Sequence, residues 1–146
     1  MNFLQRSIAL AVEAGALGNR PFGAVLVDAD GMLLAEGRNE VASTGDVTAH
    51  AELVALRLAA AHRLAGSVMY ASGEPCPMCA AACVWAGVQR IVFAASTQAF
   101  AAILPGGPGF DISCAQVIAG SNAAVDVCGP ELEAEALAAM RQAAPS

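Results

Sequence analysis

The histidine of Thr48-Ala49-His50-Ala51-Glu52 and the cysteines of Cys76-Pro77-Met78-Cys79 constrain the fold most, because together they offer three zinc-binding side chains. Zinc prefers imidazole nitrogen and thiolate sulfur, and three protein ligands leave the fourth tetrahedral position open for water, as in catalytic zinc sites. We therefore expect one Zn²⁺ per chain with water as the fourth ligand. Glu52 is not needed as a ligand and is predicted to act as the catalytic proton shuttle. The fold must bring His50 beside both cysteines.

Each of these residues also has a simpler interpretation when it is taken alone. A Cys-x-x-Cys pair beside a strand and a helix is also typical of a redox dithiol. A helical histidine is commonly a core or surface residue, and a helical glutamate commonly faces solvent. A purely structural zinc would need a fourth ligand, for which Cys83 is the candidate. We instead interpret Cys83, Cys114 and Cys128 as small buried hydrophobic residues.

Composition bounds the class of protein. The 146 residues predict one domain over residues 1–146. The chain is 57% hydrophobic and only 14% charged, which leaves apolar surface to hide and predicts a homodimer or larger assembly. No apolar run is long enough to span a membrane, and the N-terminus is typical of an amphipathic helix rather than a signal peptide. The five cysteines, an odd number, favour a reducing, cytoplasmic location.

Charge argues against a nucleic-acid partner. The formal net charge is −6, and all seven basic residues are arginine. Binding to nucleic acid depends largely on cationic contacts with phosphates. An acidic chain without a basic cluster is therefore expected to act on a small molecule.

Periodicity and turn residues predict the order of helices and strands. Helices are expected over residues 2–17, 49–63 with Thr48 as N-cap, 77–86, 113–119 and 131–143. Strands are expected over residues 21–27, 32–38, 68–72, 88–95 and 124–128, with loops over 39–47 and 99–113. The first two strands are predicted to form an antiparallel hairpin. The strand–helix–strand unit over 68–95 requires a right-handed crossover and parallel pairing.

These elements predict an α/β fold, a three-layer α/β/α sandwich around a mixed five-stranded sheet. The zinc ligands are expected at the N-termini of two helices, where partial positive charge favours thiolates. We expect those helices to follow two neighbouring parallel strands.

Residues 20–111 contain the spacing His50-x-Glu52…Pro75-Cys76-x-x-Cys79, and on this ground they resemble the cytidine deaminase-like superfamily and, within it, bacterial guanine deaminases. The resemblance implies zinc-dependent hydrolytic deamination of a nucleobase, most simply of guanine to xanthine and ammonia. It is carried by the joint His-x-Glu…Pro-Cys-x-x-Cys spacing and by five segments: Pro21-Phe22-Gly23-Ala24-Val25, Gly37-Arg38-Asn39, Asp46-Val47-Thr48-Ala49-His50-Ala51-Glu52, Val84-Trp85-Ala86 and Gly109-Phe110-Asp111.

The same resemblance implies five substrate-binding residues: Phe22, Asn39, Ala51, Trp85 and Asp111. It implies that Asn39 contacts the base, that Trp85 lines the purine pocket and that Asp111 accepts from the guanine 2-amino group. A buried carboxylate would disfavour a base without that donor, since the acceptor would stay unpaired. The alternatives are core packing for Phe22 and Trp85, a turn role for Asn39 and a helix cap for Asp111.

Three other functions stay open. Similar tRNA adenosine deaminases share Thr-Ala-His-Ala-Glu and Pro-Cys-x-Met-Cys, but usually have Pro-Val-Gly-Ala-Val where this chain has Pro21-Phe22-Gly23-Ala24-Val25. Cytosine or another small aminated heterocycle is a second alternative substrate. A non-catalytic zinc-stabilised module is the third, although such a module has no use for Glu52 beside the metal.

Overall fold

The computed structural model describes residues 2–143, apart from the side chain of His62. Five strands form one mixed sheet: β1 (Gly23–Val27), β2 (Leu33–Arg38), β3 (Val68–Gly73), β4 (Arg90–Ala95) and β5 (Asp126–Cys128). The helices within the described residues are α1 (Phe3–Ala16), α2 (Val41–Thr44), α3 (Ala51–Leu58), α4 (Pro77–Ala86), α5 (Thr97–Ala101), α6 (Cys114–Ala119) and α7 (Glu133–Ala143). A short 3-10 turn covers Ala61–Arg63.

The sheet order is β2-β1-β3-β4-β5. β1 pairs antiparallel with both β2 and β3, whereas β3, β4 and β5 run parallel to one another. The prediction of a mixed five-stranded sheet that begins with an antiparallel hairpin is confirmed. β1 is buried on both faces, as expected for a strand covered by helices on each side.

Two apolar layers enclose the sheet. On one face, small residues of α3, α4 and α6 pack against β1, β3 and β4; they include Ala51, Ala55, Ala80, Cys83 and Cys114. On the other face, Leu4 and Ile8 of α1 and Met140 of α7 pack against β4. The molecule is therefore the three-layer α/β/α sandwich that the sequence predicted.

Several predicted boundaries are wrong. The helix expected over 49–63 is three segments, because Ala59 and Ala60 are extended and separate α3 from the 3-10 turn. Thr48 does not cap it. Its N–H and hydroxyl both donate to Asp46 Oδ1, and His50 takes the N-cap position. The predicted loops over 39–47 and 99–113 contain α2 and most of α5.

Candidate metal centre and active site

His50 is placed by the packing of α3 on the edge strand β2. Gly37 makes this possible, because a Cβ there would lie 2.1 Å from the Ala51 carbonyl oxygen and 2.8 Å from the Ala55 nitrogen. Only glycine allows the helix backbone to approach the strand so closely. The first turn of α3 is thus held against the sheet, with His50 and Glu52 at the edge where β2 ends.

Cys76 and Cys79 are placed by the junction of β3 and α4. Cys76 is the N-cap of α4, and Pro77 follows at the first helical position, where a missing N–H costs nothing. Gly87, in the left-handed conformation, ends the helix as predicted. Cys76 and Cys79 therefore share one face of the first turn, which faces His50.

The three donors are at zinc-binding distances from one another. The Nδ1 atom of His50 lies 3.5 Å from Cys76 Sγ and 3.6 Å from Cys79 Sγ. Tetrahedral zinc with typical bond lengths separates sulfur and nitrogen ligands by about 3.6 Å. Among the described residues these three form the one group of at least three His, Cys, Asp or Glu side chains whose donor atoms lie within 4.8 Å of one another. The donor set fits a zinc ion.

Cys83 does not join this group. It is fully buried in the apolar cluster with Ala80, and burial raises the pKa of its thiol. Its interpretation as a small buried hydrophobic residue is confirmed, as is that of Cys114, while Cys128 is half-buried. All five cysteines are free.

The donors favour a thiolate before any metal binds. A hydrogen bond from Cys79, with a further contribution from His50, lowers the pKa of Cys76 to about 4. Sharing that bond, together with burial, raises the pKa of Cys79. The contact with Cys76 also raises the pKa of His50. A cation that replaced these protons would find one sulfur already charged.

Glu52 is a carboxylate with almost no contact with solvent. Its relative exposure is 6%, and it lies in the first turn of α3, two residues after His50. Burial first, and the negative charge of Cys76 second, raise the pKa of Glu52 from 4.5 to about 7. Burial of a carboxylate costs free energy, so a buried carboxylate usually has a specific structural or functional role. Its position beside three convergent donors is typical of a catalytic acid–base residue.

Phe22 and Asn39 lie at the same edge of the sheet. The Asn39 N–H donates to the Phe22 carbonyl oxygen over 3.0 Å. The Phe22 ring is half-buried and meets the Phe100 ring edge to face, with centroids 5.0 Å apart. Asn39 is buried, and its Oδ1 accepts from the Val41 N–H over 3.1 Å, so the turn role is observed. Contact of either residue with a base stays a prediction.

The structure gives less support for a substrate contact at the other three predicted residues, which are Ala51, Trp85 and Asp111. Ala51 is fully buried against β2 as the first residue of α3. Trp85 lies six residues beyond Cys79, about 9 Å along the helix axis. It is 89% exposed, so core packing is wrong.

Asp111 is exposed on the loop between α5 and α6, and Ser113 caps α6. The cap role proposed for Asp111 is therefore wrong. The predicted preference for guanine depends on a buried carboxylate at this position, but the Asp111 side chain is exposed in the structure. A substrate contact for these three residues stays a prediction.

The expectation that both zinc-binding helices follow neighbouring parallel strands is wrong. β2 and β3 point the same way, but β1 lies between them and runs in the opposite direction. The donors still meet, because β2 and β3 end at the same edge of the sheet, on either side of the start of β1. The order of the strands in the sheet cannot be derived from local sequence patterns, because it depends on the long-range pairing of β1 with both β2 and β3.

Three residues near the site were not assigned a role from sequence. Arg20 places its guanidinium 5.7 Å from the centroid of the Phe22 ring. Phe100 meets the same ring edge to face. Glu74 accepts two backbone N–H groups. The one available signal was the position of Glu74 two residues before Cys76.

Comparison with known proteins gives the family. A family model described as the cytidine and deoxycytidylate deaminase zinc-binding region matches residues 1–95. The matched region includes all three metal donors and the buried carboxylate. The chain therefore belongs to the cytidine and deoxycytidylate deaminase family.

The relatives of this chain have more than one named activity. A guanine deaminase of Bacillus subtilis is 45% identical over 98 residues, covering 64% of this chain and 62% of the relative. A tRNA-specific adenosine deaminase of Haemophilus influenzae is 42% identical over 104 residues, covering 68% and 60%. This chain thus spans less than two thirds of either relative's length. A solved structure of guanine deaminase from Nitrosomonas europaea has a TM-score of 0.82 and 28% identity, covering 97% of this chain and 82% of that protein.

No helix within residues 2–143 combines the length and the apolar character needed to cross a membrane.

Proposed function

We propose that this chain is a zinc-dependent hydrolytic deaminase that converts guanine to xanthine and ammonia. The observation that carries the proposal is the buried carboxylate of Glu52 beside His50, Cys76 and Cys79. A zinc ion that only stabilised the fold would have no use for an acid–base residue that is not one of its ligands.

The residues divide the chemistry between them. His50, Cys76 and Cys79 would hold the ion, and zinc bound there would supply hydroxide at neutral pH by lowering the pKa of a coordinated water. Glu52 would accept a proton from the attacking water and pass it to the ring nitrogen next to the amino-bearing carbon. Glu52 would then take the remaining proton from the added hydroxyl group and deliver it to the departing amino group, which leaves as ammonia. The carbonyl oxygen of the product comes from water.

Exclusion of bulk water supports the role of Glu52. In a low-dielectric site a carboxylate donates and accepts protons without competition from solvent, and its interactions with nearby charge are stronger. Phe22 and Phe100 provide an apolar wall beside Gly73, three residues before Cys76. A flat heterocycle could stack on such a wall, which supports a nucleobase as substrate.

Guanine is favoured by the Bacillus relative, by the Nitrosomonas structure and by the charge of the chain. A free base requires no cationic surface, and this chain has a net charge of −6. In this proposal Asn39 and Asp111 contact the base. Asp111 would have to become covered on binding, because its loop leaves it exposed in the free chain.

An ammonia-release panel tests the substrate. It would compare guanine, cytosine, adenine, cytidine and a tRNA anticodon stem-loop on the zinc-loaded protein. We expect guanine to give the highest kcat/KM. Preference for the stem-loop would support the tRNA adenosine deaminase alternative, which the Haemophilus relative favours. Preference for cytosine would support another small heterocycle, and no release from any substrate would support a non-catalytic module.

Glu52→Gln tests the chemistry. The substitution keeps the shape of the side chain but removes its ability to exchange protons, so turnover should be abolished while zinc content stays at one per chain. Glu135→Gln on α7 is a matched control, since Glu135 is exposed and far along the chain from the donors. Loss of zinc from Glu52→Gln, measured by elemental analysis, would mean that Glu52 is a ligand rather than a proton shuttle.

Asp111→Asn tests the choice of base. The amide offers the guanine 2-amino group a weaker acceptor, so guanine kcat/KM should fall by about tenfold or more. Thermal stability should hardly change because the side chain is exposed. Unchanged guanine kinetics would remove Asp111 from the pocket.

We also propose that the active form is a homodimer. The apolar composition and the 89% exposure of Trp85 support this. Trp85 borders a surface hollow of about 360 Å³ with Leu53, Leu56 and Ala82. Covering such a hollow with a second copy would remove apolar area from water. Sedimentation at micromolar concentration should show a dimer, and a monomer there would reject the proposal.

A further inference from the structure

Glu74 joins the strand that leads to the metal donors with two helices further along the chain. It follows β3 directly and precedes Cys76 by two residues. Its Oε1 accepts from the Thr97 N–H over 3.0 Å, and its Oε2 accepts from the Cys114 N–H over 2.8 Å. Thr97 and Cys114 are the first residues of α5 and α6. Both oxygens of one carboxylate are therefore used on two different helix N-termini.

These bonds do more than satisfy helix ends. Ser96 Oγ already accepts from the Ala99 N–H, and Ser113 forms a reciprocal capping box with Gln116. Each helix therefore has its own N-cap. A carboxylate at a helix N-terminus adds a charge-assisted bond and a favourable interaction with the helix dipole. Because Glu74 makes both additions at once, it fixes the two helices relative to β3.

The chain between these two helix starts runs beside the junction of β3 and α4, which carries Cys76. It carries Phe100, which packs edge to face on Phe22. A Cβ on Gly73, the residue before Glu74, would lie only 2.7 Å from the Phe22 ring and 3.1 Å from the Phe100 ring. The same segment carries Asp111. Its position relative to Cys76 thus decides where a base could lie relative to the metal donors.

We propose that Glu74 is a positioning residue that sets the separation between the metal donors and residues 97–114, and that this segment covers the bound base. This inference rests on the proposed deaminase function. Glu74 itself contacts neither substrate nor metal donor in this proposal. Weakening it should loosen substrate binding and leave metal binding and the chemical step nearly unchanged.

Glu74→Gln tests this inference, with Glu133→Gln as the matched control. The glutamine side chain keeps one oxygen that can accept a hydrogen bond. Its NH₂ group cannot accept, so one of the two bonds to backbone N–H groups is lost. Glu133 also accepts a backbone N–H of this region, from Ser96 over 2.9 Å, but it belongs to α7. Ser96 directly follows β4, so the strand keeps it in place when Glu133 is changed.

The expected result is a split between KM and kcat. Glu74→Gln should raise KM for the preferred base by about tenfold, the effect of losing one charge-assisted hydrogen bond, with kcat within about threefold and zinc content unchanged. Both variants weaken a hydrogen bond to a backbone N–H, so both should lower the unfolding midpoint by a similar amount. Glu133→Gln should nevertheless leave KM within about twofold of the wild-type value. Amide exchange at Thr97 and Cys114 should accelerate in Glu74→Gln alone.

A second variant guards against failure of Glu74→Gln to fold. Thr97→Pro removes one donor and leaves Glu74 intact. Proline suits the first helical position, and Ser96, at φ −67° and ψ 152°, has the backbone that precedes proline. Thr97→Pro should also raise KM.

Three outcomes would overturn the inference: unchanged KM in both Thr97→Pro and Glu74→Gln, an equal KM change in Glu133→Gln, or loss of zinc from Glu74→Gln. A wild-type protein that released ammonia from no substrate would instead count against the proposed function. In that case faster exchange in Glu74→Gln alone would still support the link between β3 and the segment.

Discussion

Replacing Gly37 with alanine should separate zinc binding from overall folding. The added Cβ would lie 2.1 Å from the Ala51 carbonyl oxygen, whereas ordinary contact begins at about 3.4 Å, so α3 and β2 would have to separate by about 1.3 Å. Zinc–ligand distances vary by only about 0.2 Å. Because α3 carries His50, a shift of this size would take one donor out of reach of the other two. Overpacking of this kind typically costs about 1–3 kcal/mol of folding free energy.

The assay is zinc affinity by chelator competition, alongside urea unfolding of the zinc-free protein. We expect Gly37→Ala to weaken zinc binding by at least about tenfold, which corresponds to roughly 1.4 kcal/mol. Gly31→Ala is the control. Gly31 has a positive φ of 85° in the hairpin turn and no atom within 4 Å of an added Cβ. It should lose about 1 kcal/mol of stability through backbone strain but keep its zinc affinity. Wild-type zinc affinity in Gly37→Ala would refute the reasoning.

The remaining predictions concern the metal, the neighbouring thiol and pH. Chelation should lower the unfolding midpoint, because an ion held at 100 times its Kd contributes about 2.7 kcal/mol; an unchanged midpoint in calorimetry would contradict a bound ion. Cys83→Ala should cost about 1 kcal/mol and keep full zinc content by elemental analysis, whereas zinc loss would make Cys83 a ligand. A hydrogen bond from Arg6 holds the pKa of Glu36 below 4.5, so its contribution to stability is present above that pH and is lost as pH falls through the lower, folded-state value. Urea unfolding of Glu36→Gln should show a shallower loss of stability below pH 4.5 than wild type, and an identical slope would exclude the pair.

The sequence predicted α4 accurately because its limits are set locally. Pro77 suits the first helical position, and Gly87 takes the left-handed conformation that ends the helix. These signals act within a few residues, so tertiary packing does not override them. The two cysteines are fixed on one face of a helix for the same reason.

The helix predicted over 49–63 failed because its ends depend on distant contacts. High helix propensity continues through Ala59 and Ala60, but both residues are extended. This bend brings Leu64 into the same apolar cluster as Ala55. Burial of a leucine contributes more than helix propensity at two alanines, so packing decides the conformation.

The convergence of His50, Cys76 and Cys79 could be predicted from the sequence, but the exposure of the predicted substrate-binding residues could not. Donor spacing reflects bond lengths and one helix turn, which sequence encodes directly. The exposure of Trp85 and Asp111 depends on how α4 and the loop after α5 pack on the rest of the chain, which is a tertiary property. Residue type favoured an interior place for Trp85 and a polar contact for Asp111, but neither preference specifies which surface is covered.

β1 lies between β2 and β3, the two strands that lead to the helices with the metal donors, and this arrangement has a kinetic consequence. His50 and Cys76 are 26 residues apart in the chain, and the chain between them includes β3. An ion held by both would staple the β2–α3 unit to the β3–α4 unit across an intervening strand. Escape of the ion would then require the two units to part. The rate at which a strong chelator strips zinc from the folded protein should therefore report how often this half of the sheet opens.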